Sequence, residues 1–198
     1  MNVDIVRGLW FKSFEHFDGE LYRQLEIAHL NAYESAFPIS VLYMSWAGMN
    51  YDEMAAVRKD EIDKLKNLND KIKSFLTAYA SMPVHALDAR FPDAPLLRSR
   101  EMPESNYDAI SASISRFNKA LGADKPIFVP SCIRECGIFC RIVEKETFLP
   151  KYGKNRPVTE RMWKIYESAF ERKFSGVRQI TNTMKRFEEW KRLFGYDQ

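Results

Sequence analysis

The longest stretch of this 198-residue chain without proline or glycine lies between Gly48 and Pro83. Over Tyr51–Met82 its apolar side chains recur at Ile62, Leu65, Leu68, Ile72, Phe75, Leu76 and Tyr79, mostly in steps of three and four. That is the one-face period of an amphipathic helix. An unbroken helix there would be about 48 Å long at 1.5 Å per residue, against a radius of gyration of roughly 16 Å for a compact chain of this size. It would cross the whole molecule. Its weakest point is Asn67-Leu68-Asn69-Asp70, because Asn and Asp side chains compete for backbone hydrogen bonds and favour caps over helix interiors. Asp60 and Lys64, acid first, have the spacing of an exposed i,i+4 pair on such a helix.

The segments on either side are read against this stretch. Trp10, Phe11, Phe14 and Phe17 crowd the first seventeen residues, where Val3–Phe11 fits a short strand or a helical turn equally well. Asp18-Gly19 reads as a turn or N-cap before a helix from Glu20 to Ala36 with Leu21, Leu25, Ala28 and Ala32 on one face. Pro38 and Gly48 bracket Ile39–Ala47, a run apolar nearly all round, and this predicts a central buried helix. A buried strand has the same pattern. Residues 83–103 hold four of the nine prolines and no period, which predicts a proline-rich loop, and loops that long are usually functional.

Ser105 and Asp108 resemble a capping box, followed by Tyr107, Ile110, Ile114, Phe117 and Leu121 in 3-4 steps and a stop at Gly122. Ile127–Val129 is a short extended run and a candidate pair for Val3–Phe11. Cys132–Glu146 reads as a helix capped by Ser131 and weakened by about 1 kcal/mol at Gly137, or as two strands bent there. Lys151–Arg156 is a basic loop. Two helices complete the pattern, one from Pro157 and Thr159 with Met162, Trp163, Tyr166, Ala169 and Phe170 inward, and one after Ser175-Gly176 with Ile180, Met184, Phe187, Trp190 and Phe194 inward.

The expected fold is therefore mainly α: one compact helical domain over residues 1–198 with six to seven helices and at most a short two-stranded β element. Residues 83–103 form its loop and residues 151–198 a basic C-terminal helix pair. The core should contain Leu65, Ile72, Leu76, Ile110, Ile114, Phe117, Met184 and Phe187. A composition of 45% apolar and 29% charged residues excludes a disordered chain. Nothing approaches eighteen continuous apolar residues, so no membrane span is expected. Asp4 and Arg7 precede any apolar run, unlike a signal peptide. With three cysteines confined to nine residues and no disulfide framework, a cytoplasmic location is the expectation.

The chemical motifs are few. Cys132-x3-Cys136-x3-Cys140 would line three sulfurs along one helix edge, but a closed zinc or iron–sulfur site needs a fourth ligand. Free cysteine is otherwise a small core hydrophobe. Glu26-x-x-His29 matches one element of a di-iron bundle, which requires two, and no second copy occurs. Among His16, His29 and His85, the last lies beside the proline-rich loop and is the best candidate base. No phosphate loop, zinc-protease motif or dinucleotide fingerprint occurs, so no cofactor, metal or catalytic set is assigned.

Charge is segregated. Residues 1–50 carry three Lys/Arg against six Asp/Glu, whereas residues 151–198 carry twelve against six. Arg178, Lys185 and Arg192, seven apart, line the outer side of the last helix. The leading expectation is a non-enzymatic interaction protein (adaptor, inhibitor or accessory factor) with a protein partner. Its partner-binding residues would be Arg90, Arg98 and Arg100 in the loop and Trp163, Arg178, Lys185 and Arg192 on the C-terminal helices, since Arg and aromatic side chains are enriched at interfaces. The alternatives are DNA or RNA binding through the basic C-terminal helices, and a small hydrolase or transferase using His85 or a cysteine.

Overall fold

Short polar caps, rather than proline or glycine, divide most of the chain into helices. The computed structural model describes residues 9–85, 95–98, 106–122, 124–150 and 158–196. Ser13 accepts a hydrogen bond from the His16 N–H at 3.2 Å and starts α1, Phe14–Ile27. Next come α2, Ala36–Trp46, and α3, Tyr51–Ala56, the latter opened by a capping box between Asn50 and Glu53. A 3-10 turn at Lys59–Lys64 leads to α4, Asp70–Ala80, and a second 3-10 turn spans Pro83–His85. The remaining helices are α5, Tyr107–Ala120, α6, Pro130–Glu144, α7, Glu160–Ala169, and α8, Val177–Phe194. The fold is mainly helical as expected, with eight α-helices among the described residues. None of them is long and apolar enough to cross a membrane.

The single long helix over Tyr51–Met82 does not form. It breaks at the foreseen place, where Asn69 caps α4 by accepting from the Ile72 N–H at 2.9 Å. It also breaks at Val57 and Leu65, both in extended conformation. The first of these breaks serves the tertiary structure: the Leu96 N–H donates to the Val57 carbonyl at 2.7 Å beside an isolated antiparallel bridge between Arg58 and Pro95. In the 3-10 turn the i,i+4 geometry is lost, and Asp60 lies 3.5 Å from Arg58 instead of pairing with Lys64 as expected. Leu65, placed in the core by its period, is only partly buried. Ile62 takes the core position.

The first helix is also shifted. Asp18-Gly19 is inside α1, not before it, because Ser13 is the cap and the Asp18 carboxylate has tertiary partners. It accepts from the Tyr43 hydroxyl at 2.5 Å and from the Lys71 ammonium, tying α1 to α2 and α4. Burial, and then this bond, push the Tyr43 hydroxyl far above its ordinary pKa. Of the suggested strand pair, Val3–Gly8 lie outside the described residues. The Leu9 N–H does donate to the Ile127 carbonyl at 3.0 Å, but no strand forms there.

The all-round apolar run is the central buried helix, α2, packed against α4, α5 and α6. Gly137, which weakens α6 in isolation, is explained by this contact. A Cβ at that position would collide with the carbonyl oxygen of Trp46, so the α2–α6 approach requires glycine. α5 follows its sequence period, with Asn106 as the cap in place of Ser105. At the far side of the core Trp190 of α8 donates its indole N–H to the Phe11 carbonyl at 2.9 Å, linking positions 179 residues apart.

Candidate cationic interface

Thr159 caps α7 through the Met162 N–H at 3.3 Å, and α8 ends at Gly195 in a left-handed turn. The inner face of α8 places Ile180, Met184, Phe187 and Trp190 in the core, with Phe187 and Trp190 against Phe139 of α6. Arg178, Lys185 and Arg192 are all exposed on the opposite side. Seven residues of helix separate neighbours by about 10 Å. Arg178 and Lys185 make no ion pair among the described residues. Leu193, 63% exposed, and Val177, 47% exposed, flank the cations. Glu189 is the acidic member of this outer face, while Glu188 pairs with Lys191 at 2.9 Å.

The other anticipated partner residues are not on this face. Trp163 is half-buried and packs against the core. Its indole and Lys173, together with the Phe174 N–H, surround the Glu167 carboxylate. The Phe174 N–H is the strongest of these in holding Glu167 below the ordinary carboxylate range. Arg98, expected to project from a loop, is 5% exposed. Leu96 and Leu97 are fully buried beside it, and the Tyr79 hydroxyl donates to its carbonyl, so segment 95–98 is drawn into the body. Arg90 and Arg100 lie outside the described residues, as do Lys151, Lys154 and Arg156.

The residues of the catalytic alternative are packed into the core. His85 is buried edge-on to Tyr79, with ring centroids 5.0 Å apart. All three cysteines are buried free thiols. The Phe11 N–H donates to Cys136 Sγ at 3.3 Å, Cys140 donates to the Lys12 carbonyl at 3.3 Å, and Arg186 approaches Cys132 Sγ at 3.7 Å. Burial pushes the Cys140 thiol up to about 12 and Cys136 higher still. His29 follows α1 in a left-handed conformation, φ 53°.

Two arginine constellations emerge only in three dimensions. In the first, Arg141 of α6 donates to the Trp46 carbonyl at 3.1 Å and to Glu171 Oε2 at 3.0 Å, and Asn67 donates to the same carboxylate oxygen at 2.9 Å. Gly48, at φ 109°, leaves room for it, since an added Cβ would stand 3.1 Å from Arg141 Nη2. A cleft of about 440 Å³ opens beside this network between the ends of α6 and α7, floored by Ile142, Ile165 and Ala169.

The second constellation gathers Arg134 and Glu135 of α6, Arg172 just past α7, and Arg186 of α8. Arg186 Nη2 lies 2.6 Å from Glu135 Oε2. Arg172 donates to Thr183 Oγ1 at 2.5 Å and covers the Phe174 ring at 4.6 Å, while Arg134 Nε donates to the Gly48 carbonyl at 2.5 Å. Burial holds Arg172 below its ordinary pKa. Glu135 opposes that shift, and Arg134 and Arg186 reinforce it. One sequence signal did mark the cluster: Glu135 interrupts the apolar face formed by Cys132, Cys136 and Phe139, and a buried carboxylate requires a cation. Which cations would meet it depends on helix packing.

Set against known protein families, curated proteins and solved structures, the chain matches none of them.

Proposed function

We propose that this chain is a non-enzymatic interaction protein that docks on an acidic surface of a protein partner through the outer face of α8. The carrying observation is that Arg178 and Lys185 are exposed and unpaired among the described residues, in line with Arg192 and beside the exposed Leu193. Cations steer association, and the apolar residues among them supply contact area that is released from water. Glu189 within the stripe favours a mixed protein surface over a uniform phosphate backbone. The buried, protonated thiols suit a reducing, cytoplasmic setting.

A photo-crosslinking residue at Asn182, on the same exposed face, identifies the partner in the source cell, and the purified pair is then titrated. Reversing Arg178 and Lys185 to Glu should weaken binding by at least roughly tenfold and flatten its salt dependence. Unchanged affinity removes the proposal. Binding to duplex or single-stranded nucleic acid at about 50 mM salt that falls steeply as salt rises, and is lost on charge reversal at Lys185 and Arg192, replaces the protein partner with DNA or RNA.

A further inference from the structure

We propose that the exposed Phe148 of one copy of this chain seats in the cleft between α6 and α7 of a second copy, and reciprocally, to form a two-fold dimer. No α8 residue lines that cleft, so the contact stands independently of the outer face of α8. Helix α6 ends in two crossed backbone bonds, the Thr147 N–H to the Ile142 carbonyl and the Glu146 N–H to the Val143 carbonyl, each 3.0 Å. Such an ending needs a left-handed residue, and Glu146 supplies it at φ 48°. Past Phe148, the Tyr166 hydroxyl of α7 donates to the Pro150 carbonyl. Phe148 is thus held between two anchored points, which limits the entropy lost when it docks. It is nevertheless 83% exposed, the most of any large apolar residue among the described residues.

The receiving cleft begins one residue away. Thr147 is part of its wall, Ile142, Ile165 and Ala169 form its floor, and its volume of about 440 Å³ accommodates an aromatic ring. Phe148 does not turn back to fill it. In a two-fold contact a surface meets itself, so knob and hole must be neighbours and the charges around them must be of both signs. Both conditions hold here. Glu144 and Glu146, beside the knob, are exposed and make no ion pair among the described residues. Lys145 and Lys164 are exposed on the cleft wall. Their own partners hold them weakly: Lys145 is 3.9 Å from Glu171, which Arg141 already engages at 3.0 Å, and the Lys164–Glu160 side chains are 72% and 82% exposed. A two-fold axis beside Thr147 sets the acids of each copy toward the lysines of the other. The cationic stripe of α8 would repel its own copy in the same arrangement.

The test is sedimentation of the full chain over roughly 1 μM to 1 mM. The mass should climb from 23.2 kDa toward twice that value. Phe148→Ala empties both clefts at once and should weaken the dimer by roughly a hundredfold. Ala169→Leu keeps the knob, fills the hole and should weaken it by roughly tenfold or more, while Lys185→Glu should change nothing. The deciding sample is an equimolar mixture of the two cleft variants with one of them labelled. The intact cleft of Phe148→Ala then receives the intact ring of Ala169→Leu, and the mixed dimer should form more tightly than either variant pairs with itself. If Ala169→Leu does not fold, Lys164→Glu takes its place, since it sets an acid against Glu144 and Glu146 and leaves the knob intact. A mass fixed at 23.2 kDa up to the highest concentration overturns the proposal and assigns the cleft to a different partner. So does a dimer that Phe148→Ala leaves undiminished, or a mixture no better than its components.

Discussion

Asn67 and Glu171 both hold a left-handed backbone, φ 60° and 49°, and the amide of one donates to the carboxylate of the other at 2.9 Å across 104 residues of sequence. Each conformation is unfavourable alone, by about 1–2 kcal/mol for a residue with a Cβ. Each persists because a second contact joins the bond between them: the Asn67 amide also donates to the Ala47 carbonyl, and Glu171 also accepts from Arg141. Asn67→Ala loses both the side-chain bond and the tolerance for positive φ, whereas Asn67→Gly loses only the bond. The alanine variant should therefore be the less stable by about 1 kcal/mol. Urea midpoints check the order, and the reverse order would mean that position 67 is not held left-handed.

Gly137→Ala should destabilise the protein although it improves helix propensity. The propensity gain is about 1 kcal/mol. The collision is with the backbone of Trp46, which no rotamer change relieves, and overpacking typically costs about 1–3 kcal/mol. With the cost near the upper end of that range, a net loss of about 2 kcal/mol is expected in denaturant unfolding. A stabilised variant would show that α2 and α6 do not approach this closely.

Asn118 is buried between α5 and the segment before α6, where its side chain binds the Phe128 N–H and carbonyl at 2.9 Å each and the Ile114 carbonyl at 3.1 Å. Asn118→Ala leaves both Phe128 backbone groups buried without that partner. The loss should be about 2–4 kcal/mol, and hydrogen exchange at the Phe128 amide should accelerate more than at the α8 amides. Uniform acceleration would argue against a local role.

The Glu167 carboxylate is held below its ordinary value of 4.5, first by the Phe174 N–H and then by Lys173. A carboxylate with a depressed pKa contributes stability that is present above the unfolded value and lost as pH falls through the folded one. Glu167→Gln should therefore be less stable than the parent at neutral pH, with the gap closing below pH 4.5. Parallel acid limbs in the two proteins would contradict this assignment.

Cys136 and Cys140 have the opposite sign. Burial raises both above the ordinary 9.0, so their contribution is present below that value and lost as pH rises through the folded one. At pH 8 a thiolate-specific reagent should label neither faster than the protein opens, and labelling should accelerate with denaturant. Labelling at the rate of free cysteine in the native state would refute the burial.

Much of the helical pattern was legible because it depends on nearby residues. The periods of α5, α7 and α8 and the uninterrupted apolar face of α2 each sit between recognisable caps. The departures from the local pattern have a common cause: a side chain that reads as local has a distant partner. Asp18 looked like a cap and is a tertiary acceptor for Tyr43 and Lys71. Gly137 looked like a weak point and is a contact. The run after Tyr51 has a helical period, yet Val57 leaves the helix to bond Leu96. For the candidate interface, the exposed Arg178, Lys185 and Arg192 follow from a helical wheel. Arg134, Arg172 and Arg186 do not, since three separate segments bring them together.

The indole bond from Trp190 to the Phe11 carbonyl has a consequence for how the chain is made. Elongation delivers α8 after the other described helices, so on the ribosome the rings at Phe11 and Phe17 wait, wet and adhesive, for a partner still being synthesised. Helices α2 and α4 can associate early through short loops, but closing the core joins the two extremes of the described chain and is a step of high contact order. The newborn protein is most exposed to misassembly in that interval, and a chain stopped before Trp190 would never leave it.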